Sequence, residues 1–150
     1  MKTPQNEVHF QFLSRSSNEA FIRSAVAAFC APADPTLEEL GDIKPAVSEA
    51  VTNCIVHAYP DTIGWITVRV RLYEDGILEI LVRDKGRGIE NVEKARSPMF
   101  TTGGAERSGM GFTIMESFMD TVRVRSTPGQ GAASPKGTSV TMRRRIRARR

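Results

Sequence analysis

An α+β two-layer sandwich, with helices covering one face of a mixed sheet, is the fold class this sequence predicts, and three observations carry it. Two helical patterns occupy residues 16–59. A strand–turn–strand pattern with an Asp-Gly turn fills 66–84, and a glycine-rich stretch then leads into one more helix and two closing strands. The chain of 150 residues has the length of one domain, and no repeat or linker divides it.

Each element has its own signal. Val8, Phe10 and Phe12 alternate with His9, Gln11 and Leu13, the period of a first strand. Ser16 and Glu19 stand at capping-box spacing before Phe21, Ile22, Ala25, Val26 and Phe29, which share a helical face; Pro32 and Pro35 close that helix. Thr36 and Glu39 form a second such box ahead of Leu37, Leu40, Ile43, Val47, Val51, Cys54, Ile55 and Ala58. Pro45 inside this pattern removes a donor and crowds the carbonyl of Gly41, which predicts a kink or break near 41–44; Tyr59-Pro60-Asp61 ends the helix. Ile66, Val68, Val70 and Leu72 alternate with polar residues, Glu74-Asp75-Gly76 turns the chain, and 77–84 returns as the partner strand. Residues 85–111 show no period and read as one long loop, a length that marks a functional segment in a compact domain. A short helix at 112–119, a strand around Val122 and Val124, a Pro/Gly/Ser-rich connection at 127–137 and a strand over 138–142 complete the order.

Apolar residues make up 40% and charged residues 25%, the composition of a globular chain rather than a disordered one. The net charge of +4 is concentrated at the C-terminus, where Arg143, Arg144, Arg145, Arg147, Arg149 and Arg150 fall within eight residues. Without those six, 15 basic residues face 17 acidic ones. The predicted division is therefore a domain over 1–142 and a basic, disordered tail over 143–150. Cys30 and Cys54 are far apart in apolar surroundings, so they read as buried core thiols rather than as a zinc or redox pair. No apolar run is long enough to span a bilayer or resembles a signal peptide, and the expected location is the reducing cytoplasm.

Three local patterns carry chemistry. Glu49, Asn53 and His57 follow at i, i+4 and i+8, stacked along one side of the helix. An amide oxygen suits a hard cation and a carboxylate one turn away suits proton abstraction, although alone the column reads more readily as a solvated helix face. Asp84 shares a strand face with Leu78, Ile80 and Val82, so its carboxylate points to the core side and needs partners there. Gly86 and Gly88 follow at once and let the backbone approach a planar ligand; a strand-ending turn has the same composition. Arg107-Ser108-Gly109-Met110-Gly111 precedes the helix at 112, where free N–H groups and the dipole favour an anion; a flexible capped loop is the alternative. Neither a P-loop, nor a Rossmann spacing, nor a Ser-His-Asp set is present.

The ordered succession of Glu49…Asn53, Asp84-x-Gly86-x-Gly88, Ser108–Gly111 and Gly137-Thr138 resembles the N, G1, G2 and terminal G-T elements of the GHKL ATP-binding superfamily, which includes gyrase B, Hsp90, histidine kinases and MutL. The strings SEAVTNCIVHAY (48–59), MFTT (99–102) and ERSGMGFTIMESFMD (106–120) are similar to the sporulation anti-sigma-F factors, anti-sigma proteins that are also serine kinases, and the likeness spans about residues 7–142. The resemblance implies a histidine kinase-like ATPase fold, ATP/ADP and Mg²⁺ as cofactors, and protein serine/threonine kinase activity. It implies a sporulation sigma factor as the inhibited partner, an anti-anti-sigma factor as phosphorylation substrate, and a homodimer without membrane or direct nucleic-acid binding.

Residue by residue, it implies that Asn53 ligates Mg²⁺ and that Glu49 is the general base for the acceptor serine. Asp84 would bond the adenine amino group, with Gly86, Gly88 and Thr138 around it. Thr101, Thr102, Arg107, Ser108, Gly109 and Gly111 would surround the phosphates, and Arg23 would contact partners. A switch that binds ATP and sigma with little kinase activity is the alternative. The chain departs from the family pattern at Pro45, at the basic Lys85 and Arg87, at Gly103-Gly104 where a lysine is expected, and in the long connection 127–137.

Overall fold

The computed structural model describes residues 2–96, 108–128 and 136–147, with the backbone alone described at 108–110. In chain order the elements are β1 (Asn6–Leu13), α1 (Ser17–Cys30), a 3-10 turn (Ala31–Ala33), α2 (Leu37–Asn53), a π-helical turn (Cys54–Ala58), β2 (Trp65–Leu72), β3 (Ile77–Asp84), α3 (Val92–Arg96), α4 (Ser108–Phe118), β4 (Thr121–Thr127) and β5 (Gly137–Arg145). The five strands form one sheet in the order β1-β2-β3-β5-β4, and every adjacent pairing is antiparallel. The sheet is therefore not mixed. The crossover through α3 and α4 does bring β4 parallel to β3, but β5 is inserted between them and opposes both.

The helices cover one sheet face, with α2 packed against both α1 and α4. The core fills that interface: Ile22, Val26 and Cys30 of α1, Ile43, Ala46, Val47 and Val51 of α2, and the inward residues Ile66, Val68, Val70, Leu78, Ile80 and Met142 of the sheet are all buried. Alternation along β3 puts Leu78, Ile80, Val82 and Asp84 on this covered face, as its spacing predicts.

The two capping boxes differ in outcome. At α2, Thr36 Oγ1 accepts from the Glu39 amide (3.0 Å) and Glu39 Oε1 accepts from the Thr36 amide (2.8 Å). At α1, Ser16 is itself helical (φ −58°, ψ −30°) and its side chain caps nothing; instead Asn18 Nδ2 ties the helix start to the Leu13 carbonyl at 2.9 Å. Nor does Pro45 break α2, which runs continuously from Leu37 to Asn53. Ile43, Ala46 and Val47 around it are fully buried, and the Gly41 carbonyl that loses its donor belongs to an exposed residue within reach of water.

Two further expectations are corrected. The loop 85–111 contains α3, and α4 begins at Ser108 rather than 112. The domain does not end at 142, because β5 continues to Arg145 and the chain stays packed to Arg147. Arg144 pairs with Asp42 at 2.7 Å and donates to the Phe118 carbonyl, Ile146 is buried, and the Arg147 amide donates to Glu39 Oε2 at 2.9 Å. Arg143, Arg144 and Arg145 are strand residues with partners and Arg147 is held by its backbone amide, which is why charge density alone misreads them as a tail. Residues 148–150 lie outside the described residues. Among the described residues no helix is long and apolar enough to cross a membrane.

Candidate functional site

The second half of α2 carries the helical part of the site. Hydrophobic residues on the covered arc bury Ala50, Val51 and Cys54, which leaves Glu49 and Asn53 on the adjoining arc one turn apart. After Asn53 the backbone widens into the π-helical turn, closed by the Tyr59 amide on the Cys54 carbonyl (3.1 Å). Such a turn is rare and recurs at functional sites. It ends the straight column, yet His57 and Asn53 still line one cavity.

That cavity measures about 800 Å³ and lies between the α2–π segment, the end of β3, α3 and the start of β5. Asn53, Cys54, His57 and Ala58 form one wall, Val82, Asp84, Thr138 and Val140 the floor, and Ile89, Lys94, Ala95 and Phe112 much of the rest. Its size and largely apolar lining with a few convergent polar groups fit a small-molecule site.

Asp84 is the focus of the floor. Its Oδ1 accepts from the amides of Gly86 (2.9 Å) and Thr138 (3.2 Å), and its Oδ2 accepts from Cys54 Sγ (3.4 Å). Only 5% of the residue is exposed. Burial raises its carboxyl above the ordinary range, and the three donors act in the opposite direction. Burial, reinforced by the Asp84 charge, pushes the Cys54 thiol well above its usual range. The proton of this pair therefore stays on sulfur and points at the carboxylate.

The loop after β3 is held on three sides. Tyr59 Oη accepts from the Lys85 amide (2.7 Å) and donates to the Trp65 carbonyl (2.9 Å). The Arg87 amide donates to the Ala58 carbonyl at 3.3 Å. A side chain on Gly86 would overlap that same carbonyl, and Gly88 has a φ of +79° with a built Cβ 2.6 Å from the Thr127 carbonyl. Both positions thus require glycine, one for space and one for conformation. Ser126 Oγ accepts from the Ile89 amide (2.6 Å) and contacts Thr138 Oγ1 at 2.8 Å, joining the loop to β4 and β5.

Gly111, in the first turn of α4, sits directly over the α2 pair. A Cβ there would lie 3.2 Å from Asn53 Oδ1 and 3.3 Å from Glu49 Oε2. The N–H groups of a helix's first turn have no partner within the helix, and the Gly111 turn that carries them packs against Asn53.

The structure therefore gathers Glu49, Asn53, Asp84, Gly86, Gly88, Gly111 and Thr138 around one region, although Glu49 lies beneath Gly111 rather than on the cavity wall. Ser108 and Gly109 are placed only as the start of α4, and Thr101, Thr102 and Arg107 lie outside the described residues. Arg23 stands apart on α1, its side chain partly exposed and 3.4 Å from Glu19. Cys54, Tyr59 and Ser126 were not singled out as site residues from the sequence. Cys54 had a usable signal, since it follows Asn53 on the face turned to β3; Tyr59 and Ser126 act across the chain and had none.

A family model described as the histidine kinase-like ATPase domain matches residues 12–144. An anti-sigma F factor of Caldanaerobacter subterraneus is 58% identical over 127 residues, covering 84% of this chain and 88% of the relative. That of Geobacillus thermodenitrificans is 52% identical over 146 residues, covering 95% of this chain and 94% of the relative. Among solved structures, the RsbU and RsbW domains of Rv1364c from Mycobacterium tuberculosis share the fold with a TM-score of 0.65 at 21% identity, over 95% of this chain and 32% of that one. The sensor histidine kinase MprB shares it with a TM-score of 0.55 at 22% identity, over 73% and 76% of the two chains. With the site elements in the order and arrangement described, the chain belongs to the anti-sigma F factor family of histidine kinase-like ATPase domains.

Proposed function

We propose that this chain binds and inhibits a sporulation sigma factor and, with Mg-ATP, phosphorylates a serine of an anti-anti-sigma factor, working as a cytoplasmic homodimer. The observation that carries the nucleotide reading is Asp84 on the cavity floor, a buried acceptor fixed by two backbone amides and a thiol. An acceptor held in this way reads an amino group on a planar base. Gly86, Gly88 and Thr138 keep the surrounding wall close, and a helix start such as that of α4, whose first turn packs against Asn53, suits phosphate oxygens. Relatives named anti-sigma F factor, together with this ATPase-type fold, support the regulatory half of the reading.

The Asn53 amide oxygen, next to the α4 turn, is a fit ligand for Mg²⁺. Among the described residues no three His, Cys, Asp or Glu side chains gather as a metal cage, so phosphate oxygens and water would complete the ion's shell. Bound there, Mg²⁺ would neutralise phosphate charge during transfer. Glu49, one turn before Asn53, would take the proton from the acceptor serine. The first turn of α4 stands close to it, since a Cβ on Gly111 would lie 3.3 Å from Glu49 Oε2. Thr101, Thr102, Arg107, Ser108 and Gly109 complete the proposed phosphate lid, and Arg23 the partner contact.

The test is phosphoryl transfer from labelled ATP to the partner by the wild type and Glu49→Ala. Loss of transfer with ATP and sigma binding retained supports the kinase reading. Binding without transfer in the wild type supports an ATP-dependent binding switch instead.

A further inference from the structure

The sheet face opposite the helices bears charge in an uneven way. Toward one end, buried Glu79 is shared by Arg69 (3.5 Å), Arg71 (4.0 Å) and Arg143 (2.7 Å), and Glu7 pairs with Arg71 and His9. Toward the other end stand Arg83, Arg123 and Arg125, all exposed. Among the described residues none of these three side chains has a hydrogen bond or ion pair.

Register places them together. Arg83 and Arg125 both flank Ser139, one on each side, and Arg123 faces Thr141 two residues along. Strand spacing and rise put the first two roughly 10 Å apart and Arg123 about 7 Å from Arg125. Three like charges at this spacing repel one another, and no acid offsets them as Glu79 does for its own three arginines. On the same face Trp65, 54% exposed, adjoins Thr67, which pairs with Arg83.

Exposed tryptophan beside arginine is the composition of a protein-binding hot spot. A second copy of the chain presents the same positive charge and is disfavoured. Among the described residues no aromatic side chain stands between the three arginines to stack nucleic-acid bases, whereas the one exposed ring beside them, Trp65, lies at the margin of the patch as an apolar anchor would. We propose that Arg83, Arg123 and Arg125, with Trp65 as apolar anchor, form a docking surface for an acidic segment of a partner protein. It lies on the sheet face turned away from the helices and is independent of the nucleotide reading.

The probe is a fluorescent peptide of about twelve residues alternating Glu and Leu, read by anisotropy at low and raised salt. The wild type should bind it and release it as salt rises. R83Q/R123Q/R125Q should weaken binding about tenfold or more and Trp65→Ala by a similar factor, while the control R15Q/K44Q stays within about twofold. R125Q alone, on the edge strand, carries the test should the triple variant not fold, with a loss of about threefold expected. An equal loss in the control, or tighter binding of an oligothymidylate of the same charge than of the peptide, overturns the proposal.

Discussion

Cys54 donates its thiol hydrogen to Asp84 Oδ2 across 3.4 Å, and this contact joins the π-helical end of the α2 segment to the last residue of β3. It satisfies one oxygen of a buried carboxylate whose other oxygen already accepts two amides. Burial raises the Asp84 carboxyl, so the native state takes up a proton on this carboxyl more readily than the unfolded chain does. The stability from this linkage is complete below the ordinary carboxylate range and is lost as pH rises through the raised native value. Asp84→Asn removes that dependence. Wild-type stability minus variant stability should therefore fall as pH rises from below the ordinary carboxylate range through the raised native value, measured by denaturant midpoints. A difference that grows over that window would contradict the assignment.

Tyr59 holds the glycine loop by accepting from the Lys85 amide while donating to the Trp65 carbonyl. Tyr59→Phe leaves the Lys85 amide without its acceptor and should cost about 1–2 kcal/mol of stability. Nucleotide affinity should fall as well, because the loop that carries Gly86 loses a tether. Chemical denaturation and ligand titration of the same sample separate the two effects.

Gly111→Ala places a methyl group against Asn53 and Glu49 at distances that require both to shift by a few tenths of an ångström. The fold should survive, since the shifts required are only a few tenths of an ångström in the first turn of α4. ATP affinity or phosphoryl transfer should fall about tenfold, which is roughly 1.4 kcal/mol. Unchanged binding and transfer would show that α4 does not bear on the α2 pair.

Truncation after Met142 tests the C-terminal strand. It removes buried Ile146, worth about 2 kcal/mol, and the Arg144 bonds to Asp42 and the Phe118 carbonyl, worth about 1.5–3 kcal/mol. Truncation after Arg147 should be nearly neutral by comparison. Equal melting of the two truncated forms would restore the reading of 143–147 as a tail.

Patterns confined to one element were legible in the sequence. The Thr36–Glu39 box and the inward even positions of β3 depend on local spacing and burial periodicity, and both formed as read. Ser16 shows the limit of such spacing, because its backbone turned helical and no side chain caps the helix start, which Asn18 Nδ2 instead ties to the Leu13 carbonyl. α3 was missed in a glycine-rich stretch, although Asn91 Oδ1 capping the Lys94 amide at 2.9 Å was a local signal. Its remaining support is tertiary: Arg96 reaches Glu116 at 3.1 Å and the Val122 carbonyl at 3.0 Å. The site residues Glu49, Asn53, Asp84 and Gly111 were legible as motifs, but their convergence was not. The Cys54–Asp84 and Tyr59–Lys85 contacts span 30 and 26 residues and exist only once the helices close on the sheet. The C-terminal arginines were misread because their partners, Glu79 and Asp42, lie far back in the chain.

The central claim is that the cavity floored by Asp84 and walled by Asn53 is a nucleotide site. Calorimetric titration of Mg-ATP into the wild type, Asn53→Ala and Asp84→Asn tests it most directly. The expected result is one site per chain in the wild type, binding that no longer depends on Mg²⁺ and is much weaker in Asn53→Ala, and loss of adenine nucleotide binding in Asp84→Asn. A folded wild type that takes up no ATP, or an Asp84→Asn variant that binds as tightly as the wild type, would contradict it.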